Sequence, residues 1–268
     1  MMPAERITST TLATMKRRGE AIACLTCYDA AFAGLLESAG LEVLLVGDSL
    51  GMVLQGQAST VAVKLEHMVY HTACVSRAAR RALVIADMPF LSYASAERAL
   101  TAAEQLMGAG GAAMVKLEGG AELAETVTRL TRFGVPVCGH LGLLPQSVHR
   151  LGGYRYQGRD DAGAARIRAD ALALQDAGAS LLVLECVPAA LAQALAAELE
   201  LPVIGIGAGN GCDGQVLVLH DMLGLLPGRA PTFSKDFAAA YGDVAAALAG
   251  YVAEVKDRSF PGAAHTLF

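Results

Sequence analysis

The sequence predicts an α/β fold, a (β/α)8 TIM barrel, from three observations. First, apolar runs of strand length alternate along the 268 residues with longer stretches of helical periodicity. Second, there are eight such runs, and strands that alternate with helices form parallel sheets through βαβ units. Third, hydrophobic residues make up 54% of the chain, as expected for strands that are covered on both faces. Eight strands in roughly 250 residues fit a closed barrel.

The individual elements follow from the same alternation. The predicted strands are Ala21–Tyr28, Val43–Gly47, Leu83–Asp87, Ala112–Leu117, Val135–Gly139, Leu181–Glu185, Pro202–Ile206 and Val216–Leu219. The predicted helices are Asp29–Ser38, Lys64–Ala79, Ser95–Met107, Ala121–Arg132, Ala162–Ala177 and Pro188–Glu198. A doubly wound open sheet is the structural alternative. That fold normally has a phosphate-binding glycine loop after its first strand, where this chain has TCYDAAFAG.

We predict a single domain, residues 1–268, because no interdomain linker or low-complexity tract interrupts the pattern. A short N-terminal helix (STTLATMKRRGE) is expected at the barrel floor or against a neighbouring subunit, and a helical tail follows Phe237. We interpret the glycine-rich stretch 205–214 as a loop in which the backbone approaches another group closely. The connection from His140 to Asp161 is long for a compact domain, so we expect an ordered loop near the active site.

Composition argues against several classes of partner. The net charge of −5 and the lack of a large basic block argue against nucleic acid. No run of about eighteen uncharged apolar residues is present, so we expect no membrane span. The N-terminus has no apolar signal core and the six cysteines are scattered, so we expect a cytoplasmic protein with buried free thiols. That expectation includes the Cys24-Leu-Thr-Cys27 pair, which has no second pair or histidine at zinc-ligand spacing.

Ionisable side chains recur where the apolar runs end. These positions are Asp48 with Ser49, Asp87, Lys116 with Glu118, His140, and Glu185. In a barrel, the carboxyl ends of the strands form one rim, which is where barrel enzymes place their chemistry. Lys116 and Glu118 are two residues apart and therefore share one side of their strand. A helix cap or a salt bridge would explain any one of these residues, but not the whole set, so we interpret the rim as an active site.

The residue types at the rim indicate metal-assisted chemistry on a 2-oxo acid. Asp48, Asp87 and Glu118 offer the oxygen ligands that a hard divalent cation such as Mg²⁺ prefers. A 2-oxo acid could complete the metal shell, which would polarise its ketone and acidify the adjacent C–H. Glu185 is then available as the base at that carbon. Lys116 supplies positive charge to the substrate carboxylate or the enolate.

These residues lie within motifs that resemble one family. In chain order the motifs are LTCYDAAFAGLLESAG, LLVGDSLGMVLQG, VIADMPF, AAMVKLEGG, PVCGHLGLLPQS with GGYRYQGR, and LPVIGIGAGNGCDGQVLVLHDMLGL. Together they are similar to the 3-methyl-2-oxobutanoate (ketopantoate) hydroxymethyltransferases. The resemblance runs from about Arg6 to Phe237, and although each piece alone is weak, their combination in this order is specific.

The resemblance implies a barrel of the phosphoenolpyruvate/pyruvate-like superfamily with one Mg²⁺ per subunit. It implies transfer of a hydroxymethyl group from 5,10-methylenetetrahydrofolate to 3-methyl-2-oxobutanoate, giving 2-dehydropantoate and tetrahydrofolate in the first committed step of pantothenate and coenzyme A biosynthesis. It also implies a homodecamer. The implied roles are metal binding by Asp48, Asp87 and Glu118, substrate binding by Asp48, Ser49, Asp87, Lys116 and His140, and catalysis by Glu185 as proton acceptor.

Two alternatives remain open from the residues themselves. One is another Mg²⁺-dependent 2-oxo acid lyase or mutase on the same barrel. Such enzymes usually carry a mobile catalytic loop with a reactive cysteine or a dedicated phosphate or phosphonate site, and the long loop after His140 contains no cysteine. The other is a non-catalytic barrel that binds a metabolite or a partner protein. A decayed enzyme is expected to lose at least one of the rim residues, and this chain retains them all.

Overall fold

The computed structural model describes residues 5–226, 228, 230–266 and 268, and within them the strands form one closed barrel in chain order. The strands are β1 (Ile22–Thr26), β2 (Val43–Val46), β3 (Leu83–Asp87), β4 (Met114–Glu118), β5 (Val137–Gly142), β6 (Leu181–Glu185), β7 (Val203–Ile206) and β8 (Gly214–Leu217). All neighbouring pairs are parallel, and β8 pairs with β1 to close the barrel. The predicted eight-stranded barrel is confirmed, and the open-sheet alternative is wrong.

Helices surround the barrel. The α-helices are α1 (Ser9–Arg17), α2 (Ala30–Ala39), α3 (Leu50–Val53), α4 (Leu65–Ala78), α5 (Ala96–Glu104), α6 (Ala124–Arg132), α7 (Val148–Leu151), α8 (Asp161–Asp176), α9 (Ala189–Glu198), α10 (Leu219–Met222), α11 (Phe237–Tyr241) and α12 (Val244–Lys256). The two ends of α2 carry residues typical of helix caps. The Asp29 carboxylate accepts a hydrogen bond from the Phe32 amide at 2.9 Å at the N-terminus, and Gly40 ends the helix with a φ of 96°. Among the described helices, none is both long and apolar enough to cross a bilayer.

The barrel interior is filled by the side chains on the inward face of each strand. Apolar side chains that include Val43, Ile85 and Ile204 line a small void inside it, with Cys24 and Cys138 among them. Fully burying a side chain of this size stabilises the fold by about 1.5–3 kcal/mol. All six cysteines are free, and five are buried while Cys74 is half-buried, which confirms the expectation of unpaired thiols.

The glycine-rich stretch 205–214 corrects one predicted boundary. Strand β8 begins at Gly214, two residues before the predicted start at Val216, and the chain is already in α10 at Leu219. A Cβ at position 214 would lie 2.3 Å from the Ile22 carbonyl oxygen, so only glycine lets β8 approach β1 here. The group that the backbone of this stretch approaches closely, as predicted, is therefore in part the neighbouring strand β1.

Both ends of the chain pack against the barrel. Helix α1 lies at its floor, where Nζ of Lys16 donates to the Ala196 and Leu201 carbonyls at 2.7 and 2.9 Å and pairs with Asp213 at 2.8 Å. These contacts lie just before β7 and β8, at the amino end of the barrel. In the tail, the buried Tyr251 hydroxyl of α12 lies 2.8 Å from the carbonyl oxygen of Cys24 in β1.

Candidate active site

A cavity of about 570 Å³ opens at the carboxyl end of the barrel. Six of the seven residues predicted for the rim line it: Asp48, Ser49, Lys116, Glu118, His140 and Glu185. The seventh, Asp87, lies directly behind the lining and contacts two of these residues. The parity predicted for β4 is confirmed, because Lys116 and Glu118 both face the cavity. The predicted set thus meets at one place.

The Asp87 carboxylate joins three strand ends. Its Oδ1 lies 2.6 Å from Nζ of Lys116, and its Oδ2 accepts from the Asp48 amide at 3.0 Å. Asp87 and Lys116 are direct partners in the register of β3 and β4. Both side chains are buried, so the pair is held in a medium that screens charge poorly.

Carboxylates outnumber cations at this end of the barrel, and the pKa values reflect it. Burial, followed by the charges of Asp87 and Glu118, raises the pKa of Asp48 well above its ordinary value. Burial alone would lower the pKa of Lys116, but Asp87, Glu118 and Asp48 outweigh it and raise that pKa. A cation placed beside Asp48 would therefore be favoured electrostatically.

His140 lies between two carboxylates. Its Nδ1 is 3.4 Å from Oε1 of Glu118, and its Nε2 is 3.2 Å from Oε2 of Glu185. Neither ring nitrogen makes a well-aligned hydrogen bond within the described residues, so these contacts are mainly electrostatic. Burial and Lys116 lower the pKa of His140, but the two carboxylates prevail and raise it to about 9. The imidazolium form is thus favoured at neutral pH and holds Glu185 at the cavity edge.

Gln146 is a site residue that the sequence analysis missed. Its Nε2 donates to Oδ2 of Asp48 at 2.8 Å and to the Met88 carbonyl at 2.9 Å, and its Oε1 accepts from the Tyr93 hydroxyl at 2.6 Å. Its backbone amide donates to Oε2 of Glu118 at 3.0 Å. A neutral side chain in a long loop carries no charge or spacing signal, so only the structure reveals this role.

The long loop after β5 lies beside the cavity, as predicted. It contains a 3-10 turn at Pro145–Ser147 and helix α7, and Tyr154, Arg155 and Tyr156 line the cavity. At another part of the cavity wall, after β2, the Ser49 hydroxyl lies 2.9 Å from the hydroxyl of buried Tyr28. Ser49 is thereby held in one position at the cavity wall.

The predicted metal ligands are close together but not already arranged as a ligand cluster. Among residues 5–266 as far as they are described, no three His, Cys, Asp or Glu side chains form such a group. Asp48 and Asp87 are adjacent, while among the described residues Gln146 is what links Glu118 to Asp48. Within the described part of the chain, Oδ1 of Asp48 accepts no hydrogen bond. An oxygen-rich, negatively charged pair of this kind fits a hard divalent cation.

Comparison with known proteins identifies the family. A family model described as ketopantoate hydroxymethyltransferase matches residues 6–263. The chain belongs to the ketopantoate hydroxymethyltransferase family. A relative from Thiobacillus denitrificans, named 3-methyl-2-oxobutanoate hydroxymethyltransferase, is 61% identical over 97% of this chain and 98% of its own length. A relative of the same name from Halorhodospira halophila is 58% identical over 97% of this chain and 94% of its own.

Solved structures show the same barrel at much lower sequence identity. A putative phosphonomutase from Burkholderia cenocepacia has a TM-score of 0.66 and 17% identity, over 82% of this chain and 95% of that one. A phosphonopyruvate hydrolase solved with oxalate and Mg²⁺ has a TM-score of 0.60 and 10% identity, over 79% of this chain and 80% of that one. A 2,3-dimethylmalate lyase, described as a PEP mutase/isocitrate lyase superfamily member, has a TM-score of 0.53 and 20% identity, over 73% of this chain and 70% of that one. These likenesses confirm the predicted barrel fold.

The family assignment also decides between the alternatives left open by the residues. The relatives carry the name of a hydroxymethyltransferase, and their identity to this chain far exceeds that of the superfamily members with other chemistry. The prediction of a ketopantoate hydroxymethyltransferase family enzyme is confirmed over another 2-oxo acid lyase or mutase.

Proposed function

We propose that this chain transfers a hydroxymethyl group from 5,10-methylenetetrahydrofolate to 3-methyl-2-oxobutanoate. The observation that carries the proposal is the meeting of Asp48, Lys116 and Glu185 at one cavity in a chain of this family. In the overall reaction, the C3–H bond of the oxo acid breaks and a bond forms between C3 and the methylene carbon. Both C–N bonds that hold the methylene carbon in the folate break, and one water molecule is consumed, whose oxygen becomes the new hydroxyl group. The proton from C3 and one proton from water end on the two nitrogens of the tetrahydrofolate that leaves.

Asp48 and Asp87 are the residues proposed to hold Mg²⁺, with Glu118 as a third acidic group nearby. The donor set fits the ion, because it is all oxygen and the pKa of Asp48 is raised by burial and by neighbouring negative charge. Mg²⁺, when bound, would polarise the ketone of the oxo acid and stabilise negative charge that develops on its oxygen. Removal of the ion is therefore expected to abolish turnover.

The chain's own residues have separable roles in this proposal. Lys116 attracts the negatively charged oxo acid and is fixed by Asp87 at 2.6 Å. Ser49, held by Tyr28, offers a hydroxyl group to the bound acid. Glu185 takes the proton from C3. The His140 imidazole, 3.2 Å from the Glu185 carboxylate, orients that base.

The experiment is an assay of the purified protein with 3-methyl-2-oxobutanoate, methylenetetrahydrofolate and Mg²⁺. We expect 2-dehydropantoate and tetrahydrofolate in equal amounts, and no product when the metal is chelated. Glu185→Gln should be inactive, whereas the matched control Glu200→Gln, at an exposed residue outside the cavity, should be fully active. Absence of product from the wild-type protein, or cleavage of a 2-oxo acid without folate, would contradict the proposal.

We further propose that the protein acts as a cytoplasmic homo-oligomer, a decamer by family resemblance. Six unpaired cysteines suit a reducing compartment. Large apolar side chains on the surface, such as Tyr70 at 66% exposure and Phe133 at 69%, suit a subunit interface. Sedimentation analysis tests the assembly, and a monomer at micromolar concentration would contradict it.

A further inference from the structure

The two sides of the cavity differ in character. The charged residues follow β2 to β6, on the side of the ring centred on β4. The opposite side is formed by β7, β8 and the segments after them, and its lining is mostly apolar, with Ile206, Val218, Pro231 and Phe233. Strand β8 stands four places from β4 in the closed ring of eight and is therefore diametrically opposite to it. The cavity thus has a charged half and an apolar half.

One carboxylate interrupts the apolar half. Asp221 lies in α10, directly after β8, and lines the cavity while being half-buried. Burial raises its pKa to about 6, and no described residue contributes a charge or a hydrogen bond that offsets this. Burial, and to a lesser extent the charge of Asp221, raise the pKa of the Tyr28 phenol. A partly desolvated carboxylate is costly unless a donor pairs with it.

The second substrate of the proposed reaction has two chemically distinct ends at its ring system. The methylene carbon to be transferred lies on the nitrogens at one end, and it must approach C3 of the oxo acid beside Glu185. The far edge of the pterin carries the N3–H and the 2-amino group, two parallel donors. Such an edge matches a carboxylate in the same paired geometry as an arginine guanidinium. With the reactive end in the charged half, the donor edge reaches the apolar half.

We propose that Asp221 binds the N3–H and 2-amino edge of the folate pterin and so determines specificity for the one-carbon donor. The inference rests on the proposed function, because it takes methylenetetrahydrofolate as the second substrate. The apolar lining around Asp221 suits a flat heterocycle whose faces are poorly hydrated. Exclusion of water by that ring would strengthen the paired hydrogen bonds to the carboxylate.

Asp221→Asn tests the proposal, because it keeps the shape of the side chain but replaces one acceptor with a donor. We expect the KM for methylenetetrahydrofolate to rise on the order of 10- to 100-fold, the effect of losing a charged hydrogen-bond pair. The KM for 3-methyl-2-oxobutanoate should stay within about twofold. Folate-independent exchange of its C3 proton in deuterated water should also be unchanged, which would show that the charged half is intact.

Asp29→Asn is the matched control. Asp29 caps α2 near Tyr28 and is not part of the cavity lining, and asparagine also caps helices. The KM for methylenetetrahydrofolate, the KM for 3-methyl-2-oxobutanoate and the rate of C3 proton exchange should therefore all be unchanged in this variant. A folate KM in Asp221→Asn equal to that of the wild type would overturn the proposal. Equal loss of C3 proton exchange would also overturn it, because Asp221 would then act on the oxo acid.

A folate analogue that lacks the 2-amino group provides a second test. Calorimetric binding of the reduced analogue to wild-type protein should be weaker than that of tetrahydrofolate, whereas Asp221→Asn should bind the two about equally, because the partner is already lost. Equal discrimination by both proteins would contradict the pairing. This binding experiment does not depend on turnover. If the wild type binds tetrahydrofolate but makes no 2-dehydropantoate, the proposed reaction fails while the inference about the pterin is still tested.

Discussion

Asp87 and Lys116 form an ion pair between adjacent strands, with 2.6 Å between Oδ1 and Nζ and with side chains that are only 4% and 5% exposed. They are direct partners in the register of β3 and β4, so the barrel itself sets their separation. Because Asp87 also accepts from the Asp48 amide, this pair connects the stability of the barrel to the position of the proposed metal ligand.

Removal of the lysine charge is expected to destabilise the protein. Lys116→Met leaves Asp87 buried without its counter-charge, which should lower the free energy of unfolding by about 3–5 kcal/mol. Adding Asp87→Asn should recover part of that loss. Urea unfolding measures both changes. Lys64→Met is the control, because the Lys64–Glu66 pair is about 70% exposed and spans 3.9 Å, and it should change stability by less than about 1 kcal/mol. A similar small effect of Lys116→Met would contradict the prediction.

Glu185→Gln should separate proton abstraction from substrate binding. The substitution keeps the size of the side chain but removes the base, so exchange of the C3 proton in deuterated water should fall by about 100-fold or more. The dissociation constant of the oxo acid should change by less than about threefold. NMR follows the exchange, and calorimetry follows the binding. Exchange at the wild-type rate would mean that another residue is the base.

Asp48→Asn should weaken metal-dependent binding of the oxo acid. The substitution removes the negative charge proposed to hold Mg²⁺ while keeping an oxygen that can accept from Gln146. We expect affinity for 3-methyl-2-oxobutanoate with Mg²⁺ to fall about tenfold or more, to the level of the wild type with chelator. Calorimetric titrations with and without metal measure this. Equal heats for variant and wild type in the presence of Mg²⁺ would exclude Asp48 from the metal site.

Gln146→Met should disturb both folding and the site. Methionine fills a similar volume but leaves the Met88 carbonyl and Asp48 without a donor, which should lower the free energy of unfolding by about 2–4 kcal/mol. We also expect a higher KM for the oxo acid, because Asp48 loses its orientation. Gln57→Met, at an exposed position, serves as the control. A Gln146 variant with normal stability and normal KM would show that its hydrogen bonds do not position Asp48.

Asp221→Asn should change the pH dependence of stability. The pKa of Asp221 is raised from 3.8 to about 6 by burial, so the folded state binds this proton more tightly than the unfolded state. Its ionisation therefore costs stability above about pH 6, and that cost fades toward pH 4. The variant should be more stable than the wild type at pH 7.5 by on the order of 1 kcal/mol, allowing for partial exposure, with little difference at pH 4. An equal difference in stability between variant and wild type at pH 7.5 and at pH 4 would show that Asp221 is not desolvated.

Local patterns along the chain were enough to predict the alternation of elements and the positions of the rim residues. Strand and helix periods are local properties, and parallel strands place their carboxyl ends on one rim, so Asp48, His140 and Glu185 could be predicted to meet. The glycine that begins β8 was harder to interpret, because Gly214 is a loop signal in sequence but a close-packing position in the barrel.

Which side chains contact each other could not be predicted from these patterns and depends on how the chain folds. The pairing of Asp87 with Lys116 depends on the register between β3 and β4, and the contacts of Gln146 depend on how a loop folds back over the rim. The position of Asp221, opposite the charged half, depends on closure of the ring by β8. Strand register, loop packing and barrel closure arise from contacts between residues far apart in the chain. The local spacing of residue types therefore cannot predict them.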